Sequence, residues 1–110
     1  MEIESEIQDG ITVYRLKGRL DTNTSPQLEI RLFQAISDGL QHMVINFKDL
    51  EYVSSAGIRV ILKTIKAIKS KNGLIMLCCM QNYVKEVFEI SGVDFLTPIT
   101  ATMDDALKAF

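Results

Sequence analysis

Apolar positions along the chain set the first expectations. Ile3, Ile7, Ile11 and Val13 alternate with polar neighbours around "QDGI". Asp-Gly between two period-two runs predicts a β-hairpin, because both central residues accept positive φ. The chain therefore reads as opening with a short edge strand paired to residues 11–17. After "KGRLD", the segment "TNTSPQLEIRLFQAISDG" puts Leu28, Leu32, Ala35 and Ile36 on one helical face. Thr24 or Ser25 is the expected cap, Pro26 suits the first turn and Gly39 ends the helix.

The run "HMVINF" reads as a buried strand. From Ser55 the spacing of Ile58, Ile61, Leu62, Ile65 and Ile68 is that of one helical stripe, which Asn72-Gly73 stops. "GLIMLCCM" is a further continuous apolar run of strand length. A helix from Asn82 carries Val84, Val87 and Phe88 to Gly92, a short apolar piece surrounds Phe95, and a last helix covers Thr102 to Phe110. The order β-β-α-β-α-β-α-(β)-α predicts an α/β fold in one domain, residues 1–110. Its small mixed sheet has four to five strands with a parallel core formed through right-handed crossovers, and about four helices pack on it.

Composition narrows the chemistry. The 110 residues, 47% hydrophobic, suffice for one core. The net charge of −2 is spread along the chain without a basic arm, which argues against direct nucleic-acid binding. No run approaches the ~18 apolar residues of a membrane span, and "MEIESEIQDG" lacks the regions of a secretory signal, so the expectation is a cytoplasmic protein with no membrane insertion. Cys78 and Cys79 are adjacent and read as strand residues rather than a disulfide or metal pair.

Catalytic motifs are missing. The single histidine, His42, opens a strand whose far end leads to Ser54, ~13 Å or more away at ~3.3 Å per residue, so no Ser-His dyad is expected. There is no GxSxG, no phosphate-binding GxxxxGK[ST] or GxGxxG, and no metal-ligand spacing of carboxylates, so neither an enzyme nor a cofactor is expected. Arg59, Lys63, Lys66, Lys69 and Lys71 fall between the apolar positions of the second helix and read as its solvated face, the last of them near its C-terminal dipole.

The adjacent serines of "NFKDLEYVSSAGIRVILKTIK" need a separate account. One hydroxyl caps the helix, and one cap needs one serine. The second, followed by the small pair Ala56-Gly57, leaves the backbone open to a close neighbour at a helix start that favours an anion.

Three segments, "LKGRLDTNT", "VINFKDLEYVSSAGIRVIL" and the strand, helix and Gly92 that follow, give nearly the whole chain a resemblance to the anti-sigma factor antagonists, bacterial proteins built on a STAS domain. The resemblance implies a STAS-like fold and a partner switch. Alignment on Gly57 puts the phosphoacceptor at Ser55 and Ser54 where aspartate is frequent, while Asp21 matches the family's acidic residue near the same surface. Asp21, Asn23, Ser54, Ala56 and Gly57 are then the partner-binding surface. The implied partners are an anti-sigma factor that is often itself a serine kinase, released on phosphorylation, and a serine phosphatase that restores binding. A second reading on the same fold is a STAS module of a lipid or anion transport system without phosphorylation. A third is a nucleotide site at the helix start.

Overall fold

In the computed structural model, which describes residues 1–110, Asp9 and Gly10 take φ of +52° and +79°. They join strand β1 (Glu2–Gln8) to β2 (Ile11–Leu20) as the expected antiparallel hairpin. The chain then alternates helix and strand: α1 (Ser25–Ser37), β3 (His42–Val53), α2 (Ser55–Ser70), β4 (Leu74–Cys78) and α3 (Asn82–Ile90). A 3-10 turn (Val93–Phe95), β5 (Ile99–Thr100) and α4 (Met103–Leu107) complete it. The five strands lie in chain order, with β2 to β5 mutually parallel, so each crossover helix returns the chain to the same end of the sheet.

The two faces of the sheet are covered unequally. Leu16, Leu20, Ile45, Phe47, Ile75 and Leu77 point to one face, where Leu28, Leu32 and Ile36 of α1, the Ile58, Ile61, Ile65, Ile68 stripe of α2, and Val84 and Phe88 of α3 bury them in a single core. The Phe47 and Phe88 rings meet edge to face at 5.3 Å, tying α3 to the middle of the sheet. On the opposite face α4 alone contributes Ala106 to a smaller cluster with Ile11, Val13, Val44, Met76 and Cys78.

Strand β3 runs six residues further than the apolar run 42–47 indicates. Its pairing with β2 slips twice, between Arg15 and Lys17 and between Gly18 and Arg19, and each slip inserts an extra β3 residue. Bulges of this kind reset which side chains face inward. Phe47, Leu50 and Val53 are consequently all buried at a spacing of three, a period that does not read as strand. At the first slip the Asn46 side chain accepts the Lys48 amide at 2.9 Å, supplying a partner inside the irregular segment.

The helix ends follow their signals. Gly39 has φ +103° and its amide donates to Ile36, while Asn72 takes φ +60° and Gly73 donates to Ile68. Arg59, Lys63, Lys66, Lys69 and Lys71 are exposed, as expected of a solvated face. Two of them also serve neighbouring segments, because Lys71 donates to the Ile36 carbonyl at the end of α1 and Lys69 to the Leu96 carbonyl. The last helix is shorter than the anticipated span to Phe110, and the Thr102 hydroxyl caps it by accepting the Asp105 amide.

Cys78 is a strand residue, but Cys79 is not. The backbone turns out of β4 at Cys79, with φ +64°. Burial, chiefly, pushes the Cys78 thiol well above its ordinary range, and its Sγ lies 3.4 Å from Met103 Sδ under α4. An alkylating reagent applied to the native protein at pH 8 should therefore label Cys79 first and leave Cys78 unmodified until the fold is opened with denaturant. Peptide mass spectrometry checks the order.

Candidate functional site

Parallel pairing brings two loops together. Leu20 and Val53 are register partners at the ends of β2 and β3, so the segments that follow them, Asp21–Thr24 and Ser54–Gly57, leave the sheet side by side. The Ser54 amide donates to the Leu20 carbonyl at 2.9 Å across this junction. Gly57 is buried here, and a Cβ on it would stand 2.6 Å from Leu20 Cγ and 3.0 Å from the Leu20 carbonyl oxygen. The expectation that Ala56-Gly57 leaves the backbone open is thus corrected for Gly57, whose missing side chain is filled from within by Leu20. Ala56 is half-buried and stays at the surface.

Asp21 organises the first loop. Its Oδ1 accepts the Asn23 amide at 2.9 Å and the Thr24 amide at 3.1 Å. Thr24 holds the N-cap position of α1, yet its hydroxyl accepts the Asp21 amide and donates to the Arg19 carbonyl instead of capping the helix. Ser25 likewise donates to the Asp21 carbonyl. The proposed hydroxyl caps of α1 are therefore spent on folding the loop back, a competition that short polar side chains enter readily. The Thr24 amide, first among these contacts, together with Asn23, the Thr24 hydroxyl and Arg19, holds the Asp21 carboxyl below its ordinary value against the opposing effect of desolvation.

The two serines divide their roles. Ser54 has extended backbone, φ −97° and ψ 173°, and its Oγ accepts the Gly57 amide at 3.3 Å as the N-cap of α2. Ser55, the first residue of the helix, is exposed, and its hydroxyl makes no hydrogen bond within the chain. No acidic side chain lies in the first turn of α2, so the positive end of the helix dipole is not neutralised there. Beside it a shallow groove runs between Thr22, Pro26 and Glu29 on one wall and Ala56, Arg59 and Lys63 on the other, bridged by the Lys63–Glu29 pair at 3.3 Å.

The site residues thus separate into Asp21, Asn23, Ser54, Ser55 and Ala56 at the surface and Gly57 beneath it. Two residues absent from the sequence reading join them. Arg19 lies 4.1 Å over the Tyr52 ring and 3.8 Å from the second Asp21 oxygen. Their meeting depends on the second slip in the β2–β3 register, which pairs Arg19 with Tyr52, and no local pattern signals it. His42 stands at the opposite end of β3 with its ring 5.4 Å from that of Phe110.

The STAS domain family description matches residues 2–106. The chain is 33% identical over 110 residues to BtrV, a candidate anti-sigma factor antagonist of Bordetella bronchiseptica, covering all of this chain and 95% of that one. It is 32% identical to the anti-sigma F factor antagonist of Paenibacillus polymyxa, over 90% of this chain and 86% of that one. Its fold is similar to the crystal structure of an anti-sigma factor antagonist from Mycobacterium paratuberculosis, with a TM-score of 0.90 at 25% identity over 98% of this chain and 92% of that one.

Substitutions should separate cap, acceptor and packing. Ser54→Ala is expected to destabilise the fold by about 1 kcal/mol and Ser55→Ala to change it by no more than about 0.5 kcal/mol. Gly57→Ala is expected to cost about 1–3 kcal/mol through the clash with Leu20. Urea unfolding measures all three. For Asp21 the folded value lies below 3.8, so its stabilising contribution is complete above that pH and is lost as pH falls through the lowered value. Asp21→Asn should accordingly flatten the acid limb of the stability profile.

Proposed function

This chain belongs to the STAS domain family, and we propose that it is an anti-sigma factor antagonist switched by phosphorylation of Ser55. In this reading the unmodified protein binds an anti-sigma factor that is also a serine kinase, and so frees a sigma factor for transcription. Transfer of a phosphoryl group to the Ser55 hydroxyl ends the binding, and a separate serine phosphatase restores it. The observation that carries the reading is the division between the serines: Ser54 is committed to the helix cap and Ser55 is exposed with an uncommitted hydroxyl. The names of the two relatives above 30% identity support the same partner class.

The local electrostatics suit such a switch. A phosphate adds about −1.5 to −2 charges, which the free amides and dipole at the start of α2 accommodate without refolding. Arg59, four residues beyond Ser55 on the same helix, adds a cation on that side. In a docked complex the same charge sits next to Asp21, so both repulsion and desolvation oppose binding. Ser54 retains the capping function that an aspartate would also provide, but leaves the helix start one negative charge poorer. Asp21, Asn23, Ser54 and Ala56 form the docking surface around Ser55, and Gly57 supports it from below.

The test is titration calorimetry with the cognate anti-sigma kinase. Ser55→Ala should bind as wild type and resist phosphorylation, whereas Ser55→Asp and the phosphorylated protein should bind at least tenfold more weakly, a loss of about 1.4 kcal/mol. Equal binding by all forms removes the switch. A Ser54–Ser55 peptide that carries no phosphate under any growth condition shifts the reading to a transport-associated STAS module.

A further inference from the structure

The smaller apolar cluster, on the α4 face of the sheet, carries sulfur from three residues. Cys78 ends β4 inside it, and Cys79 and Met103 pack against its edge. Adjacent residues of a regular strand point to opposite faces, so a strand-like Cys79 would send its thiol toward the core beneath α2 and α3. The left-handed backbone at Cys79, φ +64°, instead turns its side chain to the face that Cys78 occupies. Residues other than glycine, asparagine and aspartate adopt this conformation rarely, and here it brings two thiols together. Cys78 Sγ stands 3.4 Å from Met103 Sδ. After burial, a hydrogen bond with the Cys79 thiol does most to raise the Cys78 thiol.

The backbone around the three sulfurs is tied down. Cys78 pairs in register with Thr100, and the Cys79 amide donates to the Thr100 carbonyl at 3.1 Å. Thr100 Oγ1 donates to the Thr102 carbonyl at 3.1 Å, and the Thr102 hydroxyl caps α4, whose first residue is Met103. Cys78 is fully buried, whereas Cys79 and Met103 are half-buried and give the group an open edge. No three His, Cys, Asp or Glu side chains converge on a common point in the chain, so the donors gathered here are sulfur alone. Cys78 is the register partner of Asn46, while Ser55 follows the end of β3 at Val53. The sulfurs therefore lie on the order of 20 Å along β3 from Ser55 at ~3.3 Å per residue.

We propose that Cys78, Cys79 and Met103 form a binding site for monovalent copper. Two thiolates and a thioether are soft, polarisable donors, and such a set selects Cu(I) over harder divalent ions. Zinc also takes thiolates, but its structural sites almost always have four ligands, and this cluster supplies three. Metal–sulfur bonds of ~2.3 Å put two sulfurs of a three-coordinate ion on the order of 4 Å apart. The 3.4 Å between Cys78 and Met103 needs to open by only about half an ångström to reach that spacing. On binding, three metal–sulfur bonds form and each thiol gives its proton to solvent. Copper stays in the +1 state, so no oxidant or reductant is consumed. The bound ion joins the end of β4 to α4, the one helix on the less covered face, and stabilises the native state to which it binds.

Anaerobic titration of the reduced full chain with Cu(I), in competition with a coloured Cu(I) chelator, tests the site. One Cu(I) per chain is expected, and its X-ray absorption edge should show three sulfur neighbours at ~2.3 Å. Cys79→Ser should weaken binding at least about 100-fold and Met103→Leu at least about tenfold, since even the outer partners of a metal commonly contribute ~10–100-fold. Met103→Leu keeps an apolar side chain of similar volume, and circular dichroism checks that both variants are folded. His42→Ala should bind as wild type. Bound Cu(I) should also slow alkylation of Cys79 and raise the Tm of the wild type but not of Met103→Leu. Failure to hold Cu(I) against the chelator, or nitrogen or oxygen ligands at the copper, overturns the proposal. Equal affinity of wild type, Cys79→Ser and Met103→Leu overturns it as well, and displacement by equimolar Zn²⁺ overturns the assignment to copper. None of these outcomes depends on phosphorylation of Ser55.

Discussion

Everything at the candidate site depends on the parallel pairing of β2 with β3 and on where that pairing stops. Because Leu20 and Val53 end their strands together, a single hydrogen bond from the Ser54 amide to the Leu20 carbonyl joins the two outgoing segments. Gly57 allows α2 to begin directly against Leu20, at a separation that any side chain would exceed. The position of Ser55 is thereby fixed by backbone on both sides. Its hydroxyl is presented on a rigid helix start rather than on a mobile loop, which favours recognition by a partner with little ordering cost.

Under the proposed function, the same junction would let a small chemical change act without a change of fold. Ser54 satisfies the helix end, the Asp21 loop is closed by its own side chain, and the core beneath is continuous through Leu20, Val53 and Ile58. Modification of an exposed hydroxyl disturbs none of these contacts. In the proposed switch the effect would therefore fall on surface charge, to which Arg19, Asp21 and Arg59 contribute. The unequal covering of the sheet is a separate matter. Three helices bury one face, whereas α4 covers only part of the other, and the remaining apolar surface of α3 faces outward at the end of α2 remote from Ser55.

Much of this was legible in the residues. Asp9-Gly10 specified the hairpin because its positive φ is a local requirement, and the stripe from Ile58 to Ile68 specified α2 because burial of one helical face needs only that spacing. The serine pair was legible for the same reason, since a cap requires one hydroxyl and leaves the other to be explained. The second half of β3 was not: two register slips with β2 give Phe47, Leu50 and Val53 a period that belongs to no regular element. Thr24 and Ser25 looked like caps, and the tertiary loop around Asp21 diverted both hydroxyls.

The sequence by itself determined the order of the elements, the faces they bury and the presence of a small, polar helix start, because propensity, capping and hydrophobic period act over a few residues. Only the tertiary structure decided that Gly57 is packed against Leu20, that Arg19 lies over Tyr52 beside Asp21, and that Phe95 stands in solvent. Those facts depend on which backbone atoms from distant parts of the chain are brought within van der Waals reach, and strand register, which sets that reach, is a property of two strands together.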